Sequence, residues 1–293
     1  MAKKPTVAIT GASGFVGSAL VSHFADLGWN VRGLVRNPAK QHPSNQNVSY
    51  HKYDISTPID PISLQGADYL VHAAYVTEKD SEDAYNVNVT GAKLLIKTAR
   101  SQGVGKLLFI SSMSSHEGAT STYGRQKLAI EKLFLAVGGI CVRPGLIIGD
   151  GGIVMNMAAF MRRWHVVPLI GDGKQPVQII SVRDLAACIE GILTKNLVGT
   201  LTLATPRVYT YREFYRTLAL QKKIHVIFLK VPYDLLAFFF KVAAGLHLPL
   251  KLGVDNLRGL QALKSADSRA SLEQIGIQLQ TLEEAINDNK SLH

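Results

Sequence analysis

The chain has 293 residues, 47% of them hydrophobic, enough for one large α/β domain, or a nucleotide-binding domain with a smaller partner, and this excludes a disordered chain. A formal net charge of +10 comes from scattered Lys and Arg without the basic and aromatic interleaving of single-strand binders, so no nucleic-acid partner is expected and anionic small molecules absorb the charge more simply. The two cysteines, Cys141 and Cys188, have neither a disulfide framework nor metal-ligand spacing; they read as buried thiols, and no metal is expected.

Lys3-Lys4-Pro5 runs straight into the first strand with no charged-then-apolar leader, and the reading is cytoplasmic. Val7-Ala8-Ile9-Thr10 is that strand, and Gly11-Ala12-Ser13-Gly14-Phe15-Val16-Gly17 follows it with three spaced glycines before a helical pattern. Unpaired N–H groups at such a helix start, with the positive end of the helix dipole, make a seat for a dinucleotide pyrophosphate. Gly11 permits the turn, Gly14 lets backbone approach phosphate, and Gly17 brings helix close to strand. The bland alternative is an ordinary strand-to-helix turn.

The helical stripe from Ser18 to Leu27 ends at Gly28, where a left-handed C-cap is expected, and Trp29 to Val35 is the second strand. An acid at the tip of this strand binds the ribose 2′-OH in NAD sites; here Arg36 takes that place, which favours NADP over NAD because a guanidinium grips a 2′-phosphate. A solvated surface arginine is the alternative. Val48 to Tyr53 reads as a strand ending in Asp54-Ile55, whose carboxylate either meets the adenine amino group or opens a turn. Tyr69 to Ala74 is the fourth strand and its exit, with small Ala73 and Ala74 leaving room for a cofactor and His72 reading as a core or ribose-side histidine.

A long helix from Asp83 to Gln102 carries Asn86, Asn88 and Thr90, and the fifth strand, Lys106 to Ile110, runs into Ser111-Ser112-Met113-Ser114-Ser115. Open α/β sheets place their chemistry at such carboxyl ends, although serines are also turn formers. On the next helix Tyr123 and Lys127 stand four residues apart and share a face. A neighbouring ammonium favours a phenolate, which suits the pair to acid/base work.

In order, the glycine turn, Asp54-Ile55, His72-Ala73-Ala74, Asn88, the serines and Tyr123-Gly124-Arg125-Gln126-Lys127 resemble the motifs of the short-chain dehydrogenase/reductase superfamily. Length and the Arg143-Pro144-Gly145 turn resemble its extended or atypical branch, the NAD-dependent epimerase/dehydratase family. The resemblance implies Tyr123 as general acid/base, Lys127 on the nicotinamide ribose, a serine on the substrate oxygen, Asn88 holding a relay water, and Pro144 and Gly145 against the nicotinamide. Ser112 fits the strand-end register best; Ser111 and Ser114 stay open. It also implies an oxidoreductase or epimerase acting on a carbonyl or secondary alcohol, with a nucleotide-sugar as one substrate class. Homodimers formed through the helices flanking the Tyr-Lys motif follow by the same analogy.

Departures narrow this. No Asp-Glu pair follows the strand-five hydroxyl, which argues against dehydration, and the stretch from the serines to Tyr123 is shorter than in sugar-nucleotide epimerases. Val177 stands where those enzymes carry an arginine for the diphosphate, leaving Arg207, Arg212 and Arg258 as substitutes or as surface arginines. The alternative to an enzyme is a non-catalytic dinucleotide-binding sensor or assembly subunit. The architecture expected is a doubly wound parallel sheet of the Rossmann type from residues 1–150, with part of 170–205 returning to it. A smaller, mainly helical substrate-binding region comes from 151–170 and 206–293. Helices are expected over Tyr211 to Leu220, Leu272 to Ile277 and Leu282 to Ile286, and a strand over Val226 to Leu229. The apolar run Leu235 to Phe240, interrupted soon after by Lys241, His247 and Pro249, is too short to span a bilayer and reads as a packing helix, a lid, or a membrane-surface or partner contact.

Overall fold

A computed structural model of the chain describes residues 4–43, 45–76, 82–235 and 264–288. Its first half alternates strand and helix: β1 (Thr6–Thr10), α1 (Phe15–Asp26), β2 (Asn30–Val35), β3 (Val48–Lys52), β4 (Tyr69–His72), α2 (Glu82–Ser101), β5 (Lys106–Ile110), α3 (Thr122–Ala136) and β6 (Ile140–Pro144). The second half holds β7 (Leu146–Ile148), α4 (Gly152–Trp164), β8 (Val166–Ile170), β9 (Pro176–Val177), β10 (Ile179–Ser181), α5 (Val182–Thr194), β11 (Gly199–Leu203), β12 (Tyr209–Thr210), α6 (Tyr211–Gln221) and β13 (Ile227–Val231). It closes with α7 (Arg269–Ile275) and α8 (Leu282–Asn287).

Seven strands form one sheet in the order β11-β6-β5-β4-β1-β2-β3, every neighbour parallel. Alternating side chains explain why all of β1 is buried. Val7 and Ile9 face Leu20 and Phe24 of α1 and Leu185 and Ile189 of α5, whereas Ala8 faces the opposite layer with Leu95 of α2 and Phe134 of α3. Helices on both faces make the fold doubly wound. The chain reverses direction across the sheet between β1 and β4, and the crevice at such a switch point is where open α/β sheets bind ligands.

Local chemistry sets the ends of α1. At its C-terminus Gly28 takes φ +76, its N–H donates to Ala25 O and the N–H of Trp29 donates to Phe24 O, a Schellman closure. The helix starts at Phe15, three residues ahead of the Ser18 to Leu27 stripe, because the last three residues of the glycine turn, Phe15, Val16 and Gly17, already wind helically.

β11 adds to the sheet beside β6, and a third apolar cluster gathers Val154 and Met161 of α4, Phe214 and Leu218 of α6, and Leu282 and Ile286 of α8. Three two-stranded sheets, β7 with β10, β8 with β13 and β9 with β12, accompany these helices. Among the described residues no helix is long and apolar enough to cross a membrane. Apart from Leu235, the apolar run to Phe240 lies outside the described residues, as do Lys241, His247, Pro249 and Arg258. Cys141 and Cys188 are buried free thiols, pushed up to about 12 mainly by burial.

Candidate active site

Gly11, at φ +68, closes a turn no L side chain adopts easily, and a Cβ there would stand 2.9 Å from the Ala74 backbone. One at Gly17 would lie 2.1 Å from the Gly11 carbonyl oxygen. The turn, the start of α1 and the exit of β4 are thus in backbone contact. Gly14 caps α1 without any side-chain hydrogen bond, and Ser13 and Gly14 are exposed. The first N–H groups of the helix therefore face outward with the positive dipole end, which fits an anionic pyrophosphate. Phe15 turns away and packs against Gly149, Gly151 and Gly152; Val16 joins the core beneath.

Thr10, which the motif reading passed over, ties this junction together. Its Oγ1 accepts the N–H groups of Ala73 and Ala74, each at 3.1 Å, and so gives its own proton to His72 Nδ1 at 2.7 Å. His72 is therefore the Nε2–H tautomer. Burial, with the charge of Lys127 as a smaller cause, pushes it down to about 3, and its ring stacks on Phe109 and Phe134. It is a neutral core histidine, whose Nε2 has no partner among the described residues.

Across the crevice, α3 starts at Ser121, whose hydroxyl accepts from Gly124 N–H. A Cβ on Gly124 would lie 2.4 Å from Ser114 O, so its absence lets the helix start lie against the serine turn. That brings Ser112 to Tyr123. The Ser112 hydroxyl accepts the Ser114 N–H at 3.1 Å and lies close enough to the Tyr123 phenol to affect its acidity. Desolvation raises the phenol's pKa and the nearby Ser112 hydroxyl lowers it, with a net rise, so the phenol is neutral at physiological pH. Tyr123 is 36% exposed as a whole residue. Ser111 and Ser115 are buried, each with a hydroxyl that has no hydrogen-bond partner among the described residues.

Lys127 lies inward, only 5% exposed, and donates to Ile110 O at 2.8 Å. Its ammonium sits 4.5 Å from the Tyr75 ring centroid, 4.7 Å from Phe109 and 5.7 Å from Tyr123. Burial brings Lys127 down to about 7, against an upward pull from Glu131. Glu131, one turn on, is itself held by both Nε and a terminal nitrogen of Arg143. Tyr75 packs edge-on against Tyr123 at 5.3 Å and donates to Gln126 Oε1. Asn88 is fully buried; its Oδ1 accepts from Val76 N–H and its Nδ2 donates to Val76 O, both at 2.9 Å, with a weaker bond to Gln126.

The remaining expected residues divide. Pro144 ends β6 and accepts the N–H of Met113, and Gly145, the next residue, is pressed to the Gln178 carbonyl. Asp54 spends Oδ1 on the Ser56 N–H and hydroxyl, a turn-opening role, and these bonds hold its carboxyl below the usual range, helped by nearby Arg36 and Lys52. Ile55 is buried, its carbonyl covered by α2 at Gly91, a contact the motifs did not reveal. Arg36 is exposed at the end of β2. Val177 is buried in the third cluster, Arg212 is tied to Asp172 O, and Arg207 lies over Tyr209.

Residues 7–201 match the NAD dependent epimerase/dehydratase family. The chain belongs to that family. It is 31% identical to ceramide reductase of Caulobacter vibrioides over 219 residues, 72% of this chain and 68% of that protein. It is 27% identical to 3-beta-hydroxysteroid dehydrogenase of Mycolicibacterium neoaurum over 200 residues, 57% of this chain and 54% of that one. The solved structure of MoeE5 in complex with UDP-glucuronic acid and NAD has the same fold, with a TM-score of 0.75 at 20% identity, covering 96% of both chains.

Proposed function

We propose that the protein is an NADP-preferring oxidoreductase that reduces a ketone to a secondary alcohol on a largely apolar substrate. The observation that carries this reading is the placement of Ser112 close to the neutral phenol of Tyr123 and beside buried Lys127, on the same carboxyl side of the sheet as an uncapped glycine-turn helix. A bound nicotinamide supplies the hydride. The rest of the reaction belongs to this chain. Tyr123 holds a proton at Oη and gives it to the substrate oxygen. Ser112, whose oxygen already accepts from Ser114, donates its own proton to the phenol oxygen as charge develops there. Lys127 lends positive charge to the developing phenolate. Arg36, with Lys52 close by, offers cations to a 2′-phosphate.

Similarity to a ceramide reductase and a hydroxysteroid dehydrogenase supports an apolar alcohol or ketone. The buried Val177 and the engaged Arg212 supply no diphosphate grip, which weakens the nucleotide-sugar epimerase reading. The test is NADPH consumption with apolar ketones by wild type and Tyr123→Phe. Turnover should fall by about 10²–10⁴ with NADPH binding intact. A fully active variant overturns the site; turnover without net NADPH consumption points to an epimerase. Failure to bind either NADPH or NADH brings forward an assembly or sensor subunit that uses some other ligand.

A further inference from the structure

Two stretches, 151–171 and 214–233, contain no Asp or Glu yet carry Arg162, Arg163, Arg216, Lys222, Lys223 and Lys230. None of these cations forms an ion pair among the described residues. Half of the large hydrophobic side chains exposed among the described residues fall in the same two stretches, including Phe160, Trp164, Leu220, Ile227 and Leu229. Exposed apolar area and uncompensated positive charge thus coincide.

The fold brings both stretches to one edge. α4 ends at His165, whose Nδ1 donates to His225 O at 2.9 Å, and His165 O accepts the N–H of Ile227. From there β13 runs parallel to β8, pairing Ile227 with Val166 and Leu229 with Pro168. Paired residues share a side of a sheet and successive residues alternate, so Ile227, Leu229 and Pro168 face away from the buried Val167 and Leu169. The outer face of this small sheet is apolar. Trp164 stands beside it, 61% exposed, with Phe160 at a ring distance of 6.5 Å and the Arg163 guanidinium over its ring.

We propose that this edge rests on the surface of an anionic bilayer. Trp favours the headgroup level, where its amphipathic ring gains on both sides, Phe and Leu enter the apolar boundary beneath it, and arginines and lysines around an apolar face pair with lipid phosphates. A protein partner of ordinary composition would need carboxylates facing every one of these cations. An anionic leaflet presents them uniformly. The inference stands apart from the oxidoreductase reading, since none of these residues belongs to the nucleotide site.

The experiment is sedimentation of the full chain with vesicles of phosphatidylcholine alone or of equal parts phosphatidylcholine and phosphatidylglycerol at low salt, with tryptophan emission recorded. Trp29 is buried and Trp164 exposed, so a blue shift reports Trp164. Binding to the anionic vesicles only, with a blue shift, is expected. Arg162→Gln and Arg163→Gln should each weaken it about fivefold, and Trp164→Ala should remove the shift, with NADPH binding retained as the check on folding. Equal binding to both vesicle types, no binding, or glutamine variants that bind as wild type overturn the proposal. A lipid-free dimer that dissociates in Trp164→Glu would instead give this face to a second copy of the chain.

Discussion

Replacing Lys127 by Met is expected to raise stability at neutral pH while removing turnover. The ammonium is buried, and its pKa falls from the ordinary 10.5 to about 7. Between those values the unfolded chain holds one more proton than the folded one, so stability rises with pH across the window and is lost again as pH falls through the folded value. The gain from about pH 7 to about pH 9 is about 2 kcal/mol. The window stops there because the buried Cys141 and Cys188, raised from 9.0 to about 12, act in the opposite sense above the ordinary thiol range. His72, lowered from 6.5 to about 3, changes stability only at more acid pH. At about pH 7 the charge costs roughly 4 kcal/mol relative to an uncharged side chain. The Met variant forfeits the bond to Ile110 O, worth about 1 kcal/mol, leaving a net gain of about 3 kcal/mol. Urea unfolding at three pH values measures both slopes. The wild type should climb and the variant should stay flat. A wild-type stability that is level or falls over this interval would refute the reasoning.

Three other outcomes follow from the same geometry. Thr10→Val leaves the N–H groups of Ala73 and Ala74 and the ring nitrogen of His72 without their partner. It should cost about 2–5 kcal/mol in denaturant unfolding, with Thr10→Ser restoring most of it. Arg36→Ala should weaken NADPH about tenfold in a fluorescence titration and leave NADH unchanged; equal loss for both cofactors would show that the arginine does not read the 2′-phosphate. Gly124→Ala improves helix propensity by about 1 kcal/mol, yet its Cβ would press on Ser114 O. Turnover should fall while unfolding stability changes little, and an unimpaired variant would mean that the serine turn can move aside without loss.

What the sequence made legible was local. The glycine turn, the reach of β1 into α1, and the four-residue spacing of Tyr123 and Lys127 depend on neighbours in the chain, and helix and strand periods carry that information. The Thr10 clamp joins residues 62 positions apart along the chain, and a threonine at a strand end has no pattern that announces it. Asp54 illustrates the reverse case. Its residue type suited two roles, and in the structure Oδ1 is engaged in the turn-opening one through its Ser56 bonds. The strands β7, β9, β10 and β12 are two or three residues long, too short to show any alternation.

A signal for part of the hidden geometry was nevertheless present in the glycines that follow no turn. Gly91 and Gly124 sit inside helices, where each costs about 1 kcal/mol relative to Ala, and that cost needs a reason. In the structure each faces a carbonyl oxygen that an added Cβ would approach too closely: Ile55 O at 2.3 Å and Ser114 O at 2.4 Å. Gly17 and Gly145 meet Gly11 O at 2.1 Å and Gln178 O at 2.4 Å in the same way. All four contacts lie around the crevice at the carboxyl ends of the sheet. The backbone is therefore drawn tightest on the carboxyl side of the sheet, the side that carries Tyr123, Lys127 and the uncapped helix start.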